Sequence, residues 1–155
     1  MDALIQYALV KSSREVVFES CLQLKDNYTV IPPGSTMSIR DMQVHIAAVY
    51  QFWLLEVAQH KVMPYPKPSE CLNVNDVRAV FAKVDLLVND FCLLFQDSWT
   101  KEKPVHIPSK NLHTQLTPLT VFTHAITHEF HHKGQVMKMV RQLGITPPDT
   151  DVIRF

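Results

Sequence analysis

Residues 73–95 read NVNDVRAVFAKVDLLVNDFCLLF. Val74, Val77, Phe81, Val84, Val88, Phe91 and Phe95 recur at alternating spacings of three and four. That spacing keeps one stripe of a helix apolar and predicts a seam packed against neighbouring helices. Asn73 can cap the first turn, and Asp76 three positions on can reach back to it. Three other stretches follow similar rules. The first, from about residue 2 to 24, offers Leu4, Ile5, Ala8, Val16, Phe18, Cys21 and Leu22 as expected core contacts, and Asn27 and Ile31-Pro32-Pro33-Gly34 stop it. The second opens at Ser38, with Asp41 as a short-armed capping partner. It continues through Met42, His45, Val49, Phe52 and Trp53 to about His60, before Pro64, Pro66 and Pro68. The last covers residues 117–144, with Thr117 as cap, Pro118 at the first helical position and Gly144 as the stop before Pro147 and Pro148. No strand alternation stands out. The roughly eighteen residues before Thr117, with Pro104, Pro108 and His113, read as a coil long enough to be a functional loop. The expected architecture is one all-α domain over residues 1–155, a four-helix bundle.

Composition agrees with that frame. The chain has 155 residues, 46% apolar and 19% charged, enough for a core without staples. Fifteen basic residues balance fifteen acidic ones, which argues against nucleic acid as a partner, since binding it needs a surplus of Lys and Arg. No apolar run approaches ~18 residues, so no membrane span is expected. Cys21, Cys71 and Cys92 are odd in number and lack a Cys-x-x-Cys spacing. They fit reduced thiols in a cytoplasmic protein rather than a disulfide framework.

Four of the eight histidines fall at His124, His128, His131 and His132. With Leu119 at zero on a helical wheel, the apolar residues of the last helix span roughly 200° to 20°. His128 (roughly 180°) and His132 (roughly 220°) sit at the core's edge, and His124 and His131 turn toward the polar side. An i,i+4 pair of imidazoles can converge on one ion. Side by side in a low-dielectric setting the pair would repel if protonated and would need separate partners if neutral; a divalent ion removes both problems. His45 on the second helix, on a face with Met42, Val49 and Phe52, adds an expected third inward imidazole. The expected site is thus His45, His128 and His132, between the second and fourth helices, with a position left open for water or substrate. The nitrogen-rich donor set suits Zn, Ni or Fe(II) over Mg or Ca. His113 and Glu56 are the candidates for a fourth ligand that would close the site.

Glu129 and Lys133 fall inside the apolar arc as an i,i+4 acid–base pair. A local salt bridge at the core's rim or at a subunit contact is the expectation. The alternative is that Glu129 bonds a neighbouring helix or a ligand histidine. His128-Glu129-Phe130-His131-His132 also satisfies H-E-x-x-H, the zinc-peptidase pattern in which Glu is the general base. The metzincin extension fails at Gln135 and Lys138, and no glutamate follows Glu129 to complete a gluzincin set.

The whole chain resembles the DinB/YfiT-like superfamily of small four-helix metalloproteins. The resemblance lies in Ser-Ile-Arg-Asp-Met-Gln-Val-His at residues 38–45 and His-Glu-Phe-His-His-Lys-Gly-Gln at residues 128–135. That family pairs one histidine on the second helix with His-x-x-x-His on the last, commonly followed by Arg-Gly-Gln. Those positions match His45, His128 and His132, and Lys133 stands where Arg is common. Gly134 inside a helix costs roughly 1 kcal/mol against Ala, so a close approach of backbone or substrate is expected there. The resemblance implies one divalent transition ion, a small-molecule substrate and a homodimer. It further implies a metal-dependent transferase that uses a low-molecular-weight thiol such as bacillithiol, mycothiol or glutathione, or a hydrolase. A non-enzymatic, stress-linked metal-binding protein is the alternative.

Overall fold

The computed structural model describes residues 3–154. Its helices are α1 (Ala3–Leu22), α2 (Ile39–Gln51), α3 (Val74–Leu94) and α4 (Pro118–Gln142); the expected start at Asp2 lies outside the described residues. α1 packs against α3 and α4, and α2 packs against the same two, so the order around the bundle is α1, α3, α2, α4.

The helix ends follow from local chemistry. The Ser38 hydroxyl accepts from the Asp41 amide at 3.2 Å, and the Asp41 carboxylate accepts from the Ser38 amide at 3.3 Å. Asn73 and Asp76 make the same reciprocal pair at the start of α3. Thr117 caps α4 through the Thr120 amide, with Pro118 in the first turn. Beyond α4, Gly144 takes φ +88°, a left-handed value that only glycine adopts cheaply. All seven residues of the α3 stripe are buried.

Three expectations need correction. The core face of α1 is Tyr7, Val10, Arg14, Val17, Phe18 and Cys21, while Leu4, Ile5, Ala8 and Leu22 are exposed. An arginine and a tyrosine occupy positions that apolar periodicity assigns to aliphatic residues, because they belong to a buried polar network. The expected coil before α4 contains an antiparallel hairpin of β1 (Lys103–Ile107) and β2 (Leu112–Leu116). Val105 and Ile107 point from β1 into a small cluster with Val57, Phe52, Trp53 and Leu116. Pro104 and the two five-residue strands hide that alternation from a scan for longer runs. Asn111, at φ 45°, closes the turn after Pro108–Lys110. Finally, α2 changes pitch to a π-helix over Phe52–Val57, then resumes α-helical geometry up to Gln59. Such a widened turn re-aims side chains and is frequent near functional sites. Here it turns Phe52 and Trp53 toward the hairpin.

One polar network ties all four helices together. Arg14 of α1 donates to both carboxylate oxygens of Glu129 on α4, at 2.7 and 2.9 Å, and to Asp85 of α3 at 2.8 Å. Tyr50 of α2 donates to Glu129 at 2.6 Å, and Tyr7 of α1 donates to Asp85 at 2.7 Å. Burial alone would lower the Arg14 pKa, but the charge of Glu129 and its hydrogen bonds carry it above the ordinary value. Desolvation pushes the Tyr50 phenol up, and the neighbouring Glu129 charge adds to the shift.

Candidate metal centre

His45 projects from the middle of α2, and His128 and His132 project from successive turns of α4. Each of the three offers a ring nitrogen, and these nitrogens all lie within 4.8 Å of one another. The His45 ring centroid is 5.3 Å from that of His128 and 5.0 Å from that of His132. The Nε2 atoms of His128 and His132 are 3.1 Å apart. Two nitrogens sharing a tetrahedral zinc at ~2.0–2.1 Å lie about 3.3 Å apart, so the pair stands close to the separation one ion imposes. The group therefore could hold a metal ion. His128 and His132 are half-buried at the core's edge, as the wheel places them. His45 is exposed rather than inward: the group opens at the outer edge of the α2–α4 seam, where solvent reaches it.

The surroundings favour neutral rings at His128 and His45. Burial, followed by the proximity of His132, His45, His124 and His131, lowers the His128 pKa to about 4. Partial burial and the nearby His132 lower that of His45 as well. Gln135 sets the tautomers along α4. Its Oε1 lies 2.7 Å from His132 Nδ1, and its Nε2 lies 3.2 Å from the Nε2 of His131. An amide oxygen only accepts, so this contact favours the His132 tautomer that donates from Nδ1 and leaves Nε2 for the shared point. The Nδ1 of His128 is buried without a hydrogen-bond partner among the described residues. His124 and His131 are exposed and flank the group. The His124 ring packs 4.5 Å from Trp53 and 6.1 Å from His128, so the π-helical turn forms one wall of the opening.

Several expectations place differently. Glu129 and Lys133 do not bridge each other: Glu129 is held by Arg14 and Tyr50, while Lys133 donates to the Thr150 carbonyl at 2.7 Å and to Ser13 at 3.2 Å. A full turn of helix gives each a different neighbour, and the alternative account, a bond from Glu129 to another helix, is the one realised. Because Arg14 engages both its oxygens, Glu129 is not free to act as the general base of an H-E-x-x-H peptidase. The candidate fourth ligands lie elsewhere, His113 stacked on His106 in the hairpin and Glu56 accepting from Tyr65. Outside its own stretch of α4, no atom of the described residues lies within 4 Å of where a Cβ on Gly134 would sit, so no neighbouring element among them accounts for that glycine. Periodicity places Trp53 on the second helix without giving it a part in the site, and it picks out neither Gln135 nor Arg14. Gln135 was visible as the third residue beyond His132, and Arg14 as a charge between Val10 and Phe18 at helical spacing.

A helical bundle that brings three histidines from two helices to one solvent-open point is the class of protein defined by this geometry. The chain belongs to the DinB family, whose family model matches residues 3–155. No curated protein matches it.

Proposed function

We propose that His45, His128 and His132 hold one divalent transition ion, zinc, nickel or iron, and that the protein is a metal-dependent enzyme acting on a small molecule. The favoured reaction is transfer of a low-molecular-weight thiol to an electrophile, with hydrolysis as the other option. The observation that carries the reading is the convergence of three ligand nitrogens within 4.8 Å, with two of them 3.1 Å apart. A bound ion at this point supplies Lewis acidity, lowering the pKa of a water or thiol so that the nucleophile exists at neutral pH.

The chain's own residues prepare that chemistry. Gln135 keeps the His132 lone pair aimed at the shared point, and the depressed pKa of His128 keeps its ring unprotonated at pH 7. Trp53 and His124 provide an aromatic wall beside the opening. The protein's thiols are poor substitutes for an external one. Cys21 is fully buried, and burial pushes its pKa up to about 12; burial raises Cys71 too. His113 and Glu56 being engaged elsewhere supports an open coordination position and so favours an enzyme over a closed metal-storage or stress-linked protein. The proposal extends to a cytoplasmic homodimer, supported by the family resemblance and by Leu86 and Leu93 exposed on α3.

Elemental analysis of the purified protein tests the first half. About one equivalent of a transition metal is expected, lost in each of His45→Ala, His128→Ala and His132→Ala. Full occupancy in a His128→Ala, His132→Ala double variant refutes it. For the second half, consumption of monobromobimane or chlorodinitrobenzene is followed with bacillithiol, mycothiol and glutathione. A rate that needs both thiol and metal is expected, and a metal-loaded protein inactive with every thiol removes the transferase assignment.

A further inference from the structure

Three histidines remain outside that group and its flanks, and they line one groove. His106 of β1 and His113 of β2 are direct cross-strand partners. Their rings lie face to face, with centroids 4.5 Å apart and planes tilted by 20°. They occupy the outer face of the hairpin, because Val105 and Ile107 on either side of His106 point into the cluster with Val57. His60, where the helical run of α2 ends at φ 57°, borders the same shallow groove of about 670 Å³, together with Pro104 and Gln115. Among the described residues, no side chain hydrogen-bonds to the His106 or His113 ring.

Directly opposed residues on an antiparallel pair hold their Cβ atoms ~4.5–5.5 Å apart, a spacing from which two imidazoles can turn their nitrogens onto one ion. Solvent-facing strand positions do not need histidine for folding, and aromatic or β-branched residues pack better there. Imidazole nitrogen suits copper, nickel and zinc, and rejects magnesium and calcium. We propose that His106 and His113 form a second metal site, open to solvent, which takes a divalent transition ion and is completed by water, with His60 at its border. With two protein donors instead of three, it binds more weakly than the α2–α4 group. Its ion clips the two strands together across their outer face, so metal stabilises the hairpin that packs on Phe52 and Trp53.

The inference does not depend on the three-histidine reading, and calorimetric titration with Ni(II) separates them. The metal-stripped protein should show two classes of site. His106→Gln, His113→Gln should lose the weaker class and keep the tighter one. His128→Ala, His132→Ala should do the reverse. A His106→Gln, His113→Gln titration that superimposes on the wild type overturns the proposal, as does a folded His128→Ala, His132→Ala protein that binds no Ni(II). Should the latter variant fail to fold, the surface pair alone decides. Absence of the tight class from the wild type, with the weak class still abolished by His106→Gln, His113→Gln, would count against the proposed function and leave the hairpin site standing.

Discussion

Replacing Arg14 with methionine removes every charged donor from the centre of the bundle while keeping a long apolar side chain against Phe81, whose ring centroid lies 4.4 Å from the guanidinium carbon. Four hydrogen bonds disappear: two to Glu129, one to Asp85 and one to Tyr7. Their losses are unequal. Asp85 is partly exposed and keeps Tyr7 and Lys11, so water makes good the difference. Glu129 is buried and keeps Tyr50 alone. Stranding one partner of a buried ion pair costs about 3–5 kcal/mol. For a chain of this length, each kcal/mol moves Tm by ~2–4 °C, so Arg14→Met should melt roughly 6–20 °C below the wild type. Protonation of the stranded carboxylate relieves the penalty, so the deficit should be larger at pH 8 than at pH 5. Adding Glu129→Leu should restore part of the loss, short of all because the Tyr50 hydroxyl then lacks its acceptor. The coupling in the double-mutant cycle should reach about 2–3 kcal/mol. Urea denaturation of the four proteins at two pH values measures all of this. An Arg14→Met variant within about 1 kcal/mol of wild type, or additive losses in the cycle, would refute the view that this network pins the helices.

Gln135→Leu frees the His132 tautomer without touching a ligand atom, and metal affinity should fall by about 10–100-fold with the fold intact; an unchanged competition titration against a chelator dye would show that Gln135 is incidental. In the metal-free protein, His128 titrates at about 4 when folded against ~6.5 when unfolded, so between those values the unfolded chain binds the extra proton and stability rises with pH. Allowing for its half-exposed ring, acidification from pH 7 to 4 should cost about 1–2 kcal/mol through this residue. His128→Gln should flatten the dependence in EDTA, and parallel curves for the two proteins would sink the assignment. Ile107→Ala removes an anchor of the hairpin's small cluster and should cost about 2 kcal/mol, the low end for such a truncation, with α-helical circular dichroism unchanged.

How much of this was legible in the sequence differs by element. The α3 stripe and the three capped helix starts are short-range patterns, each written within a few residues, and they appear in the structure where the letters place them. The wheel likewise put His128 and His132 at the core's edge, since one helix fixes both positions. What required long-range pairing was hidden. Arg14 reads as a surface charge until Glu129 and Asp85, 115 and 71 positions away, are known to face it. The real core face of α1 was masked by the same fact, because a buried Arg14 and Tyr7 leave Leu4, Ile5 and Leu22 on the outside. The hairpin escaped because two five-residue strands, one with a proline, carry too little alternation to outweigh the prolines around them.

His128 and Glu129 show why a motif needs its three-dimensional surroundings. As consecutive residues they share the letters of a peptidase signature, yet the ~100° between them on α4 sends one toward α2's histidine and the other across the bundle to α1. The glutamate therefore holds the helices in place while the imidazoles meet solvent. The two roles support each other physically. Tyr50 and His45 leave α2 about five residues apart, and Glu129 and His128 leave α4 side by side, so the bond from Tyr50 to Glu129 fixes the spacing and roll of the same helices that bring the imidazoles together. A rigid, charge-pinned interior beneath an open group of donors limits how far the three nitrogens can move apart. A preformed site of that kind spends less binding energy on ordering its ligands. It follows that loosening Arg14 or Tyr50 should weaken metal binding at a distance, and that Tyr50→Phe should do so with every ligand still present.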